Sequence, residues 1–158
     1  MKINFPLLAL AIGAFAIGTT EFSPMGFLPQ IAENLNISIP TAGMLITAYA
    51  LGVMIGAPIM TLWFGQFSRR KALILAMAIF TIGNILAAIA PNYWGLMAAR
   101  ILTSLNHGVF FGIGSIVAIS VVPKDKQASA VATMFMGLTI ANIGGVPFAT
   151  WVGQNIGW

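Results

Sequence analysis

Glu21, Arg100 and His107 are ionisable residues set inside long apolar runs, and that setting gives them chemical interest. A charge at the centre of a membrane-length segment costs roughly 2.5–3.5 kcal/mol on insertion scales, so such a residue faces a wet cavity or a partner. Arg100 and His107 stand seven positions apart, which puts them on one helical stripe with a drift of about 20°. Thr103, Ser104 and Phe111 fall on or near the same stripe. Glu21 lies seven residues before Leu28, hence about 10 Å below the end of its segment at about 1.5 Å per residue. Arg100 lies seven residues after Tyr93, which begins its own segment at the same side. The acid and the guanidinium therefore reach nearly equal depth, and the expectation is that both face one water-accessible cavity.

The chemistry open to such a pair is proton coupling. The separation of carboxyl and guanidinium decides whether Glu21 holds its proton, and a cationic or polar ligand entering between them shifts that balance. His107, one step deeper along the stripe, is of the residue type suited to relay a proton. A static ion pair beside a hydrogen-bonded core histidine is the structural alternative. Tyr49, Asn84, Ser104, Phe111 and Asn142 are expected to line the cavity, although the polar ones among them could equally bond a neighbouring helix. Its Phe, Met and Tyr content suits apolar or amphipathic solutes, although the nine methionines are as readily gap-fillers between packed helices.

The elements that must position these residues follow from composition. Hydrophobic residues make up 59% of the 158 and charged ones 6%, against about 25% charged in a soluble domain. With no cysteine, disulfides and thiolate metal sites are excluded. The net charge of +4 does not mark a nucleic-acid partner, because the basic residues sit between apolar runs and no soluble basic domain exists. Five segments reach the length of about 20 residues that a membrane helix needs: approximately 5–28, 41–64, 72–90, 93–121 and 128–152. The expected fold is therefore all-α, a single membrane bundle of five transmembrane helices. Ala14-Phe15-Ala16 imitates a signal-cleavage site, but the apolar run continues to Leu28 and an uncleaved first helix fits better.

Threaded alternately, the five spans leave Lys2, Arg69, Arg70, Lys71, Lys124 and Lys126 on one side, which makes the amino terminus cytoplasmic. Gly153–Trp158 then emerge on the outer side. Gly52-x-x-x-Gly56 and Gly108-x-x-x-Gly112 read as helix-packing faces, and Gly144-Gly145-x-Pro147 as a bend. No Gly-x-x-x-x-Gly-Lys loop is present to hold a nucleotide, and no His-Glu-x-x-His pair to hold zinc. With one histidine, no metal or other cofactor is expected, and no enzyme activity.

Thr20-Glu21-Phe22-Ser23-Pro24-Met25-Gly26-Phe27-Leu28-Pro29 and the run from Arg100 to Gly114, with Asn106-His107-Gly108-Val109-Phe110-Phe111-Gly112 at its centre, resemble the amino-terminal half of a major facilitator superfamily transporter, in its proton-coupled efflux branch. Ala141-Asn142-Ile143-Gly144-Gly145-Val146-Pro147 resembles the glycine- and proline-rich motif of antiporters. The resemblance implies the first five helices of a twelve-helix fold, alternating access between two halves, and the bacterial inner membrane. It also implies a proton gradient as the driving force for exporting a small organic solute such as a sugar, nucleoside or drug. Arg100 matches the fourth-helix arginine linked to proton transfer, and Glu21 the first-helix acid. The loop Gly65-Gln66-Phe67-Ser68-Arg69-Arg70 keeps the basic pair expected to gate, with Gly65 where the family carries aspartate. The implied partners are the solute, the bilayer, and a missing carboxy-terminal half or another membrane chain. A truncated, non-transporting membrane interaction subunit or an inert fragment is the alternative.

Overall fold

The computed structural model describes residues 4–157; Lys2, used above to orient the chain, and Trp158 lie outside the described residues. Among these the regular structure is helical throughout: α1 (Phe5–Gly26), α2 (Leu28–Asn34), α3 (Ile39–Phe64), α4 (Arg69–Ala88), α5 (Tyr93–Ser120), a 3-10 turn (Lys124–Lys126), α6 (Gln127–Ile140), a π-helical turn (Ala141–Gly145) and α7 (Val146–Asn155). Five rods are long and apolar enough to cross a membrane: α1, α3, α4, α5 and the continuous Lys124–Asn155. The chain is an all-α membrane bundle.

Local chemistry sets the boundaries: the fifth rod runs on to Asn155, past the expected end at 152, the third ends at Ala88 before the expected 90, and three earlier boundaries also move. The first segment stops at Gly26, because Phe27 leaves the helical region (φ −126°, ψ 27°) and a separate short helix, α2, follows with Pro29 in its first turn. The second begins at Ile39, where the Ser38 hydroxyl accepts a hydrogen bond from the Thr41 N–H at 3.2 Å. The third begins at Arg69, so Arg69, Arg70 and Lys71 form the first turn of α4 instead of a loop. Hydropathy misses that turn because its side chains are charged, while the backbone is already helical. Asn4 and Asn92 cap α1 and α5 in the same manner as Ser38.

α5 is the most enclosed rod. It runs antiparallel to α1: the Asn4 amide donates to the Val121 carbonyl at 3.1 Å, Phe110 fills the hollow at Gly13, and Arg100 reaches Thr20. It runs parallel to α3, where Gly52 receives Ser104, Gly56 receives Leu105 and Gly108 receives Ala57. Lipid gives helices no hydrophobic reason to associate, so close van der Waals packing of small residues holds this pair. Gly112 takes no part beyond an ordinary contact with Thr61.

α6 lies against α1 through Gly137, which abuts the backbone of Ala11 and Phe15. Two apolar clusters close the bundle near its ends. One seats α2 on α3 and α5 through Ile31, Ala32, Leu45 and Leu96. The other joins Phe64, Ala72, Ala76, Val109 and Ile113.

Candidate functional site

α1 carries a proline in its interior, and the site is organised by that defect. Pro24 has no N–H, so the carbonyl four residues earlier, on Thr20, loses its helical partner. A buried carbonyl in a membrane needs a replacement donor. Arg100 supplies it: Nη1 donates to the Thr20 carbonyl at 2.7 Å and Nη2 to the Glu21 carbonyl at 3.4 Å. The guanidinium also lies over the Tyr49 ring, 4.4 Å from its centroid, and only 5% of Arg100 is exposed. Two carbonyl dipoles and a ring quadrupole thus take the place of a counter-ion.

The Glu21 carboxylate goes elsewhere. Oε2 stands 3.6 Å from His107 Nδ1, with both side chains 22% exposed. That is ion-pair distance for a charged imidazole and too long for a hydrogen bond. The expectation of an acid and a guanidinium meeting in one cavity is corrected here, although the two residues do lie side by side. Helical Cβ atoms tilt toward their own N-terminus. On antiparallel helices of equal depth, this carries the Glu21 carboxylate toward His107 and the Arg100 side chain toward Tyr93. Within salt-bridge distance the carboxylate therefore meets the imidazole and not the guanidinium.

On the Arg100 side, a cavity of about 240 Å³ is lined by Thr19, Thr20, Ser23, Asn84 and Arg100 among apolar neighbours, and Glu21 does not line it. Asn84 belongs to this cavity, accepting from the Thr20 hydroxyl at 3.2 Å. On the Glu21 side, His107 lies against Phe111 (centroids 4.7 Å apart). Phe111 stacks on Phe135 of α6 at 5.1 Å and 22°.

The other expected lining residues separate. Tyr49 is fully buried beneath Arg100. Ser104 is equally buried, facing Gly52 and donating to the Ile101 carbonyl of its own helix. It lines no cavity with Glu21, because the packing of α3 on α5 encloses it. Asn142 is exposed and donates to Leu138. Arg69 and Arg70 are exposed at the end of the bundle that also holds Asn4 and Val121, beside an apolar groove that contains Pro6 and Val117.

The expected bend is a π turn, Ala141–Gly145, with Pro147 just beyond it in the first turn of α7. Gly145 packs on Thr19 and Phe15 of α1, and Gly144 is open. Among the described residues, no group of His, Asp or Glu is placed to hold a metal ion. Pro24 and Phe135 are the members of the site that sequence reasoning passed over. A proline four residues after Thr20, in a segment facing a lone arginine, was the available signal for the first.

The structure is thus a polytopic helical bundle with an acid, an imidazole and a guanidinium held between its spans. The chain belongs to the Major Facilitator Superfamily, whose sequence profile matches residues 10–158. It is 74% identical over its whole length to "Inner membrane transport protein YdhP" of Escherichia coli K12, of which it covers 41%. It is 40% identical over 152 residues (96% of the chain) to "Putative transporter AraJ" of the same strain, covering 39% of that protein. It is 32% identical over 148 residues (94% of the chain) to "Probable sugar efflux transporter" of Helicobacter pylori HPAG1, covering 38%. The chain thus spans about two fifths of the length of these relatives.

Proposed function

We propose that these residues form the solute-facing part of a proton-coupled exporter of small organic solutes, working by alternating access in a bacterial inner membrane. A second membrane half, or another membrane chain, supplies the opposing wall. The amino terminus lies on the cytoplasmic side, in keeping with the basic residues gathered at that end of the bundle. A proton gradient drives the cycle, without a cofactor and without covalent catalysis by the chain.

The observation that carries this reading is the half-enclosed Glu21 carboxylate, 3.6 Å from the imidazole of His107 and outside salt-bridge distance of the guanidinium beside it. An acid bound tightly to Arg100 would be fixed in its ionised form. An acid beside an imidazole on a partly open face can exchange a proton with solvent or lose it when a solute binds. Arg100 becomes the fastener that holds α1 on α5 while Glu21 titrates, with His107 as the relay.

The test is efflux from proteoliposomes of the intact protein under an imposed pH gradient. Glu21→Gln is expected to abolish gradient-driven efflux while solute exchange at zero gradient persists. Undiminished gradient-driven efflux in that variant removes Glu21 from the proton step. A steady downhill leak, indifferent to the gradient in the parent itself, indicates a channel and overturns the proposal.

A further inference from the structure

We infer that Tyr49 is a positioning residue: the face of its ring, and not its hydroxyl, holds the Arg100 guanidinium on the backbone of α1. The inference rests on reading Arg100 as the fastener of α1 on α5, and it names what keeps the fastener closed. Three helices meet at one side chain. Arg100 leaves α5, donates to the Thr20 and Glu21 carbonyls of α1 at 2.7 and 3.4 Å, and lies 4.4 Å from the ring centroid of Tyr49 on α3.

The ring is placed by the close-packed seam between α3 and α5. Tyr49, Gly52 and Gly56 are spaced by three and four residues and share one face of α3. Gly52 receives Ser104 and Gly56 receives Leu105. Tyr49 ends that row and is 2% exposed, so its ring presents a fixed surface to whatever crosses it. Arg100 is the side chain that crosses, from the seam to α1.

The hydroxyl takes no part in this hold. Tyr49 Oη is buried without a hydrogen-bond partner among the described residues, and so is Arg100 Nε. A buried N–H of a cation that lacks an acceptor costs free energy, and the ring face, negative in its quadrupole, offsets that deficit. Without the ring face, the guanidinium is free to leave the carbonyl that Pro24 exposes, and α1 loosens from α5. A tyrosine that only filled space would be replaced equally well by any ring of its size. Fluorine drains the negative face of a ring while adding little volume, so it separates the two roles.

The experiment places phenylalanine and its mono-, di- and trifluorinated forms at position 49 of the intact protein by nonsense suppression, beside Tyr49→Leu. One readout is the thermal midpoint in lipid nanodiscs. The other is gradient-driven export from proteoliposomes of arabinose, uridine or ethidium, whichever the parent moves fastest. Tyr49→Phe is expected to match the parent in both, since the hydroxyl has no partner. Along the fluorinated series the midpoint is expected to fall stepwise, and export to fall about two- to thirtyfold by the trifluorinated ring. Tyr49→Leu is expected to fall at least as far.

In a parent that exports, a series flat in either readout overturns this inference alone, as does a Tyr49→Phe variant as impaired as Tyr49→Leu. In a parent that moves none of the three solutes, a graded midpoint leaves the ring's hold on Arg100 standing and counts against the exporter reading alone. A flat midpoint in such a parent defeats both.

Discussion

α5 presents two contrasting faces. Toward α3 it offers Ser104, Leu105 and Gly108 against Gly52, Gly56 and Ala57, a contact of small residues in which backbones approach closely. Toward α1 it offers Arg100 and His107, joined by two hydrogen bonds to carbonyls and one ion-pair-length contact. The first interface is held by many weak, non-directional attractions spread over a surface. The second adds, to the packing of Phe110 at Gly13, a few directed bonds whose strength depends on charge and proton occupancy. A helix of this kind has a fixed side and a side that can be rewired, and the chemistry belongs on the latter.

The largest effect expected from attacking this contrast is on the fixed side. Gly108→Leu drives a side chain into the backbone of Ala57 and should destabilise the bundle by about 3 kcal/mol, read as a collapse in monodisperse yield and thermal midpoint.

On the wired side, Arg100→Gln should cost about 2 kcal/mol by leaving the Thr20 carbonyl without its charged donor. The same substitution in a Pro24→Ala background should cost about 1 kcal/mol less, because alanine at that position restores the helical N–H to that carbonyl. A double-mutant cycle on thermal unfolding in detergent measures the coupling. A coupling of zero would mean that the proline does not prepare the arginine's seat.

Glu21→Gln sharpens the comparison by separating function from stability. Its unfolding free energy should stay within about 0.5 kcal/mol of the parent, since the carboxylate makes no hydrogen bond, even as gradient-driven efflux disappears. Ser104→Ala should be the quietest of the four in transport, with unfolding shifted by less than about 1 kcal/mol, because its hydroxyl serves only the Ile101 carbonyl.

The sequence announced the bundle clearly because length and apolarity are properties of whole segments, and five such rods are present. It announced the neighbourhood of Glu21 and Arg100 because depth can be counted from a helix end. It could not announce which partner each would choose. That choice depends on the direction of Cβ on antiparallel helices and on a carbonyl freed by Pro24, both of which act below the resolution of residue counting.

Ser104 and Phe111 illustrate the same limit. Lying on or near one stripe of α5, one turned into a glycine-lined contact and the other onto an aromatic pair. A helical wheel assigns an angle and leaves the neighbour unnamed. The helix at Arg69 failed for a different reason: charge moved the apparent membrane boundary inward, while backbone geometry followed Ser68.

The wide turn at Ala141–Gly145 has a consequence for anyone reading faces from spacing. A π turn holds about one residue more than an α turn, so the side chains after it are advanced by about 100° around the axis. Phe148 and Trp151, stacked at 6.5 Å on the outside of α7, therefore sit about a quarter-revolution or more from where an unbroken count from Gln127 would draw them. Deleting a single residue from this turn would return it to α geometry and swing that aromatic pair by about 100° around the helix axis.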